Sequence, residues 1–254
     1  EFLHQIEDEP FREMVRDYFT NAQFRKDYWI KGGRILSASE RIGEIRKLRV
    51  ALVVPRKNVA LTATTTLGDI NLQPEVYEPL LDILDDHAPH DISNLEQSLA
   101  SQGVNLLQII QALMILIGTG AVAQAQPDGA VQSAKKAVRA LNAALMQQAH
   151  YTDQVQFLTS PVTGGGVGTH RFDQIFMTAE RHGAKTSQSK AEYVWKALSG
   201  QGERLVKDSV ALETEADNLA HLVELSTESD GRRPFQLALG LSDATAPQSG
   251  QKRR

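Results

Sequence analysis

The chain has 254 residues, of which 41% are hydrophobic and 23% charged, and its formal net charge is -4. These values are typical of a globular protein with one large or two ordinary domains, and they predict no general attraction to nucleic acid or anionic lipid. The absence of cysteine excludes disulfides and thiolate chemistry. The most apolar segment, Leu106 to Ile117, is too short to span a bilayer. We therefore expect a cytoplasmic protein without stable membrane insertion.

The N-terminal part of the chain predicts helices and an extended connection. Apolar positions at helical spacing predict a helix within Ile6–Ile30, with Pro10 in its first turn. The spacing of Ser37 and Glu40 is that of a capping box and predicts a helix that ends near Lys47. We assign residues 1–57 to an N-terminal helical and extended connector. Because the sequence starts within a helical pattern and without an initiator Met, we expect a part of a longer protein.

The stretch from Pro74 to Gln126 predicts three helices followed by a short strand. Pro74 suits a first helical position, Gly103 a helix stop, and Asn105 the N-cap of the third helix. This order is the winged-helix order, and we assign residues 58–129 to a winged-helix-like domain. Just upstream of the first helix, β-branched runs separated by a Gly-Asp turn predict a small antiparallel sheet.

The charges of this domain favour contact with protein over contact with DNA. Between Asn58 and Ala134 there is no Lys or Arg, although cations supply most of the nonspecific affinity for a duplex. We therefore expect no nucleic-acid partner, with a DNA-binding transcription regulator as the alternative. The candidate partner face is the acidic first helix, with Glu75, Glu78, Asp82 and Asp85. The third helix should be buried on nearly all sides, because its apolar positions cover most of its circumference: Leu106, Leu107, Ile109, Ile110, Leu113, Met114 and Ile117.

The remainder of the chain predicts a helical C-terminal domain over residues 130–241. We expect a helix from about Val131 to Ala149, then a strand in VQFLTSP and a glycine loop. Three further helices are expected, in HRFDQIFMTAERHG, Ser189–Leu198 and Glu215–Ser226. The composition of residues 242–254 predicts a disordered tail. The fold class is therefore mainly α with small β elements (α+β), a winged-helix-like domain followed by a helical one.

Two motifs that suggest chemistry do not have the required context. Gly118, Gly120 and Ala123 satisfy G-x-G-x-x-A, but a helical pattern precedes them, whereas a dinucleotide site needs a strand there. The acidic and histidine residues of Asp85–Asp91 lack the spacing of metal ligands on one helical face. We predict no catalytic residue, no cofactor-binding residue and no metal ligand in this chain.

The glycine loop after VQFLTSP is a candidate anion or partner loop, with Thr163, Gly164, Gly166, Thr169 and Arg171. A strand precedes it and a helix follows it, so backbone amides at the helix start could bind an anion. No Lys-Ser/Thr pair follows, which excludes a P-loop. We favour a loop that sets the angle of the helix, and keep a free-standing enzyme with an anion site here as an alternative.

Several segments together resemble a known family. The stretch FREMVRDYFTNAQFRKDYWIKGGRILSASE is similar to the region just after the catalytic domain in bacterial S-adenosylmethionine-dependent methyltransferases that carry a methyltransferase regulatory domain. Farther along, YEPLLDIL, LTSPVTGGG, GERLVKDSVALETEADNLAHL and LALGL resemble later portions of that family in the same order. The similarity is diffuse and extends from about Phe2 to Leu241. The segment STESDGRRPFQ departs from the Leu-rich last helix of the family, so the resemblance does not predict a final helix here.

The resemblance implies a function for the chain. The family includes enzymes that methylate lysines of outer-membrane proteins, and its catalytic domain has an acidic residue and glycines after a first strand. This chain has no such unit, so S-adenosylmethionine is expected only in a missing catalytic domain. The resemblance thus implies a non-catalytic regulatory or substrate-recognition portion. Its expected partners are a methyltransferase catalytic domain, in the same or a separate chain, and a protein substrate; a homodimer is compatible with the sequence.

Overall fold

The computed structural model describes residues 2–24, 30–65 and 68–242. Within these ranges the chain is mainly helical with small antiparallel sheets, which confirms the predicted class of mainly α with small β elements. The predicted tail after Ser242, and part of the resembling stretch at residues 25–29, lie outside them. The chain divides into two compact units, which we call the N-terminal unit (Glu1–Arg41) and the main unit (Ile42–Arg254). The predicted boundaries at 57/58 and 129/130 both fall inside the main unit.

The elements follow one another in this order. The first half contains α1 (Glu9–Thr20), α2 (Ala38–Lys47), β1 (Arg49–Leu52), β2 (Thr62–Thr65), β3 (Gly68–Asn71), α3 (Pro74–Leu84), β4 (His90–Asp91), α4 (Ile92–Leu99), α5 (Leu106–Gly118) and β5 (Val122–Gln124). The second half contains α6 (Asp128–Gln148), β6 (Phe157–Thr159), β7 (Gly166–Gly168), α7 (Arg171–Arg181), α8 (Ser187–Gly200), β8 (Val206–Lys207), β9 (Val210–Ala211), α9 (Glu215–Gly231) and α10 (Arg233–Ala238).

The N-terminal unit is built around α1, an amphipathic helix with no buried residue. Its start is fixed by Asp8, whose carboxylate accepts a 2.7 Å hydrogen bond from the Phe11 amide, as expected of an N-cap. The large apolar side chains on α1 follow helical spacing and therefore share one side of the helix. We call this group the α1 stripe; its members, with their exposed fractions, are Phe11 (49%), Met14 (46%), Tyr18 (80%) and Phe19 (71%).

The main unit is organised around β1, the middle strand of the antiparallel sheet β4-β1-β5. Val50 pairs with His90 on one side, and Ala51 pairs with Ala123 on the other. Because successive side chains of a strand point to opposite faces, β1 serves two cores. Val50 and Leu52 pack in a cluster with α3, α4 and α5, whereas Ala51 packs in a cluster with α6, α7 and α10. A third cluster lies among α7, α8 and α9.

The predicted series of helix, short helix, helix and strand is present as α3, α4, α5 and β5. Asn105 caps α5 through a capping box, since the amides of Asn105 and Gln108 each donate to the other's side chain. The predicted small sheet is correct for β2 and β3, which pair with each other. The strand β1 pairs instead with β4 and β5, partners that lie far away in sequence and supply no local signal.

The prediction that α5 is buried on nearly all sides was wrong. Ile109, Leu113 and Leu116 are buried, but Leu107 and Met114 remain 63% and 68% exposed. The core contacts only one side of α5. Leu107 and Met114 are seven positions apart and therefore lie together on the opposite side. The apolar composition of α5 therefore exceeds what its packing requires.

The C-terminal segment differs from the expectation taken from the family resemblance. STESDGRRPFQ is helical, because α9 continues to Gly231 and α10 follows from Arg233. Phe235, Leu239 and Leu241 pack in the cluster that contains Ala51, and the side chains of Ser160 and Asn142 donate to the carbonyls of Leu239 and Leu241. In the described residues no single helix is long and apolar enough to cross a bilayer; Ile92–Gln102 and Leu106–Gly118, bent by 118°, meet the length and composition criteria only as a pair.

Candidate functional site

A cavity of about 870 Å³ lies in the main unit between the segment that follows β1 and the start of α7. This volume is in the range of small-molecule sites. The lining combines apolar side chains with polar ones. Its apolar side chains are Val53, Val54, Pro55, Phe157, Val167, Phe172 and Phe235, and its polar side chains are Asn58, Asp153, Gln156, Thr169, His170, Arg171, Asp173, Arg232 and Gln236.

The N-terminus of α7 contributes free hydrogen-bond donors to this cavity. The N-cap residue His170 makes no side-chain capping bond. In the described part of the chain, the amides of Arg171, Phe172 and Asp173 have no acceptor, and all three residues line the cavity. The first amides of a helix carry the positive end of its dipole, so this end of the cavity favours a ligand with a negatively charged acceptor.

A buried ion pair closes the same end of the cavity. The Arg232 guanidinium donates two hydrogen bonds to the Asp173 carboxylate, at 3.1 and 2.7 Å. The Asp173 side chain is 4% exposed and that of Arg232 is 23% exposed. Since the pair is bidentate, its charges largely cancel, and it fixes the start of α7 against the end of α9. The net charge at the helix start therefore comes from the helix dipole.

Gln236 of α10 is the buried polar residue of the cavity whose side chain is unpaired. It is 2% exposed, and its backbone amide donates to the Arg232 carbonyl. Its side-chain amide makes no hydrogen bond within the described ranges, and since it is not one of the fully buried unpaired polar atoms, it opens into the cavity. Because Gln236 lines the cavity, this amide is available to a ligand.

The predicted anion or partner loop is only partly at the cavity: Gly166, Thr169 and Arg171 line it, while Thr163 and Gly164 lie outside the lining. The loop satisfies its own amides. The Ser160 hydroxyl accepts from the amides of Val162 and Thr163, the Ser160 carbonyl accepts from Gly164, and the Thr163 hydroxyl accepts from Gly165. Gly164 has φ +71°, a conformation that favours glycine. These bonds fit the interpretation of a loop that sets the angle of α7.

Arg171 points away from the glycine loop and holds the C-terminus of α6. Its guanidinium donates from Nε to the Ala149 carbonyl at 2.8 Å, and from Nη2 to the His150 carbonyl at 3.2 Å and to Glu203 at 3.0 Å. A cation at this position also complements the negative end of the α6 dipole. Burial, followed by the charges of Arg171 and His182, lowers the pKa of the His150 imidazole.

The acidic face of α3 forms a second candidate surface, a shallow groove of about 390 Å³. Three of the four predicted residues meet there: Glu75, Glu78 and Asp82 line the groove, while Asp85 lies just after α3. Asp82 contacts Arg56 at 3.3 Å. Glu75 and Glu78 have no cation partner in the described part of the chain, so their charge faces solvent. The groove is lined further by Pro74, Pro79, Ile83 and Gln102.

The two rejected motifs have structural roles. Gly118 is the last residue of α5 and Gly120 has φ +76° in the turn to β5, as expected of a helix end that leads into a strand. His87 is buried, with Nδ1 3.0 Å from the Leu52 carbonyl and its ring 5.0 Å from Phe235. No group of three potential metal ligands occurs among the residues that the structure describes.

Only Thr169 and Arg171 among the polar residues of the cavity were predicted from the sequence; those not predicted include Asp173, Arg232 and Gln236. The cavity is assembled from separate segments around residues 53–58, 153–173 and 232–236, and no spacing rule connects them. The structure shows that α7 is buried from Asp173 to Ala179, where a carboxylate requires a cation partner, but the sequence alone does not show this burial. Nothing in the sequence identified that partner as Arg232.

Comparisons with known proteins give a relative without an assigned function. The chain is 35% identical over 241 residues to an uncharacterized protein of Synechocystis sp.; the match covers 94% of this chain and 47% of the relative. The chain thus spans about half the length of the curated relative that it matches. No family model matches the chain. No solved structure matches it significantly.

Proposed function

We propose that this chain is the non-catalytic, substrate-recognising portion of a bacterial S-adenosylmethionine-dependent methyltransferase that acts on protein substrates. Two points support the proposal. The first is the resemblance of segments between Phe2 and Leu241 to the region that follows such a catalytic domain. The second is the length of the relative. The match covers 47% of it, so the unmatched part is about as long as this chain and is long enough for a further domain.

The observation that carries the proposal is the exposed α1 stripe. Phe11, Met14, Tyr18 and Phe19 are each between 46% and 80% exposed, although they lie on one side of an amphipathic helix. Such a helix normally buries its apolar side against another element. We assign the catalytic domain as the partner that covers it, because the resembling stretch follows that domain directly in the family.

The substrate, in this proposal, contacts the acidic groove on α3. The methyl acceptor in the resembling enzymes is a lysine, and a lysine-bearing segment is complementary to the carboxylates of Glu75 and Glu78. No Lys or Arg occurs between Asn58 and Ala134, so no permanent cation in that segment repels such a substrate. Holding the substrate near a methyl donor is a positional contribution to catalysis. The proposal includes a cytoplasmic location, where S-adenosylmethionine is made.

Calorimetric titration of the chain with S-adenosylmethionine tests whether the cofactor site lies elsewhere. We expect no saturable heat, because the sequence lacks the unit that the family uses for the cofactor, an acidic residue and glycines after a first strand. Stoichiometric binding would overturn the proposal. A second titration uses this polypeptide together with the proposed catalytic domain, joined to it or added as a separate chain. The combined protein should bind the cofactor, and the double substitution Tyr18→Ser and Phe19→Ser should lower its thermal stability.

The alternative of a DNA-binding regulator receives no support from α5. The exposed side of this helix carries Leu107, Gln111 and Met114, and a recognition helix normally adds Lys or Arg for the phosphates. We expect no salt-dependent shift of a random duplex in a gel assay. A clear shift that weakens with salt would favour this alternative.

A further inference from the structure

We propose that the 870 Å³ cavity binds a small organic monocarboxylate with an apolar or aromatic body, with the carboxylate at the N-terminus of α7 and at Gln236. The inference is independent of the proposed methyltransferase role, because it rests only on the main unit. It also differs from the glycine-loop anion site, since the amides of that loop are satisfied within the loop.

The polar end of the cavity supplies several uncharged hydrogen-bond donors. The amides of Arg171, Phe172 and Asp173 have no acceptor in the described residues, and the side-chain amide of Gln236 adds another donor. A carboxylate has two oxygens that accept several hydrogen bonds, so it matches this set. Backbone amides at a helix start bind such anions.

The charges at this end select a single negative charge over a double one. Asp173 is neutralised by Arg232, and Arg171 is bound to Glu203, so neither guanidinium is available for a phosphate dianion. Asp153 adds a negative charge to the lining. The helix dipole and the neutral donors remain, and they compensate the loss of hydration of one carboxylate better than the much larger loss for a dianion.

The apolar part of the cavity accommodates the body of the ligand. Val53, Val54 and Pro55 come from the segment after β1, and Phe172 and Phe235 come from α7 and α10. Pockets of this kind are lined mainly by apolar and aromatic side chains, with a few polar groups that fix the orientation of the ligand. An aliphatic or aromatic acid is therefore favoured over a sugar or a nucleotide.

Gln236 is the observation that points to a ligand beyond the helix start. The residue is 2% exposed, and its side-chain amide is unpaired in the described residues and opens into the cavity, not into the protein interior. A leucine of similar size would fill the same place without offering a donor. A carboxylate oxygen that accepts from Gln236 Nε2 satisfies the amide. Gln236→Leu should therefore leave the fold intact and remove one ligand contact.

The test is a titration of the ¹⁵N-labelled chain with a panel of carboxylates: acetate, octanoate, benzoate, 3-phenylpropionate and indole-3-acetate. We expect at least one member with an apolar body to bind saturably and to shift the amide signals of Arg171, Phe172 and Asp173. Its uncharged carboxamide should bind at least roughly tenfold more weakly. Gln236→Leu should weaken binding about ten- to a hundredfold, the range for a hydrogen bond to a charged group.

The control variant is Gln188→Leu, on the exposed surface of α8 outside the cavity, which should bind like the unchanged chain. The proposal is overturned if no member of the panel shifts the three amides at millimolar concentration. It is also overturned if a bound acid shifts other amides only, or if Gln236→Leu folds normally and binds with unchanged affinity. Equal binding of the acid and its carboxamide would likewise contradict it.

Discussion

Replacing Arg171 distinguishes its observed structural role from the anion-binding role that the sequence suggested. In the structure its guanidinium donates to the carbonyls of Ala149 and His150 and to Glu203, at 2.8 to 3.2 Å, while its side chain is 20% exposed. We therefore expect Arg171→Ala to destabilise the fold and to leave the response to anions unchanged.

The size of the effect follows from the bonds that are lost. Hydrogen bonds from a charged donor contribute about 1.5–3 kcal/mol each, but they are not additive and the partly exposed partners can bind water after the substitution. We expect Arg171→Ala to reduce the free energy of unfolding by about 3 kcal/mol. For a unit of this size, that corresponds to a decrease in Tm of roughly 6–12 °C. Arg171→Lys should lose about half as much, because a single ammonium cannot reach all three acceptors.

Urea denaturation followed by circular dichroism measures this change, with Arg41→Ala as the control at an exposed arginine. A loss below about 0.5 kcal/mol, the level of an ordinary surface substitution, would refute the structural role. If Arg171 bound an anion instead, sulfate at constant ionic strength would stabilise the unchanged chain but not Arg171→Ala. This result would contradict the structural role of Arg171.

Three further predictions concern the glycine loop, a buried imidazole and the α1 stripe. Gly164→Ala should reduce the free energy of unfolding, measured by urea denaturation, by about 1–2 kcal/mol, because φ is +71° and the new Cβ would lie 3.0 Å from the side-chain Nε2 of Gln126. His150 has a lowered pKa from burial and from Arg171 and His182, so the unfolded chain binds its proton first, near pH 6.5, and the stability of the folded chain should fall as pH decreases through that value. His150→Gln should make this decrease shallower. Tyr18→Ser with Phe19→Ser should reduce self-association of the isolated chain in sedimentation velocity.

Each of these predictions has a control in the chain. Gly168→Ala should be nearly neutral, because no atom lies within 4 Å of the new Cβ and φ is not positive. His4→Gln, at an exposed position, should not change the pH dependence. For the stripe, Leu107→Ser on the exposed side of α5 tests whether any apolar substitution has the same effect. Equal effects of a variant and its control would refute the corresponding prediction.

Local signals in the sequence were sufficient for most of the helices. Ser37, Asn105 and Gly103 are at helix ends, and their capping interactions depend on residues within a few positions. The same information cannot show what covers a helix. For α5 the apolar composition predicted burial all round, but the exposure of Leu107 and Met114 depends on where α3 and α4 lie.

The cavity could be predicted only in part. The glycine pattern located the start of α7, because a strand, a glycine loop and a helix follow each other directly. The role of Arg171 depends on the end of α6, and the pairing of Asp173 with Arg232 joins residues 59 positions apart. Gln236 carries no sequence signal, since an isolated glutamine in a short helix is normally exposed.

The most direct test of the central claim is a calorimetric titration of the chain with a lysine-rich peptide and with the same peptide fully acetylated. Recognition of a lysine-bearing substrate at the α3 groove predicts that only the unmodified peptide binds, with an affinity that decreases at high salt. Glu75→Gln with Glu78→Gln should weaken this binding several-fold, about what two exposed charges contribute, whereas Glu228→Gln should not. Equal binding of both peptides, or no effect of the groove substitutions, would contradict substrate recognition by this surface.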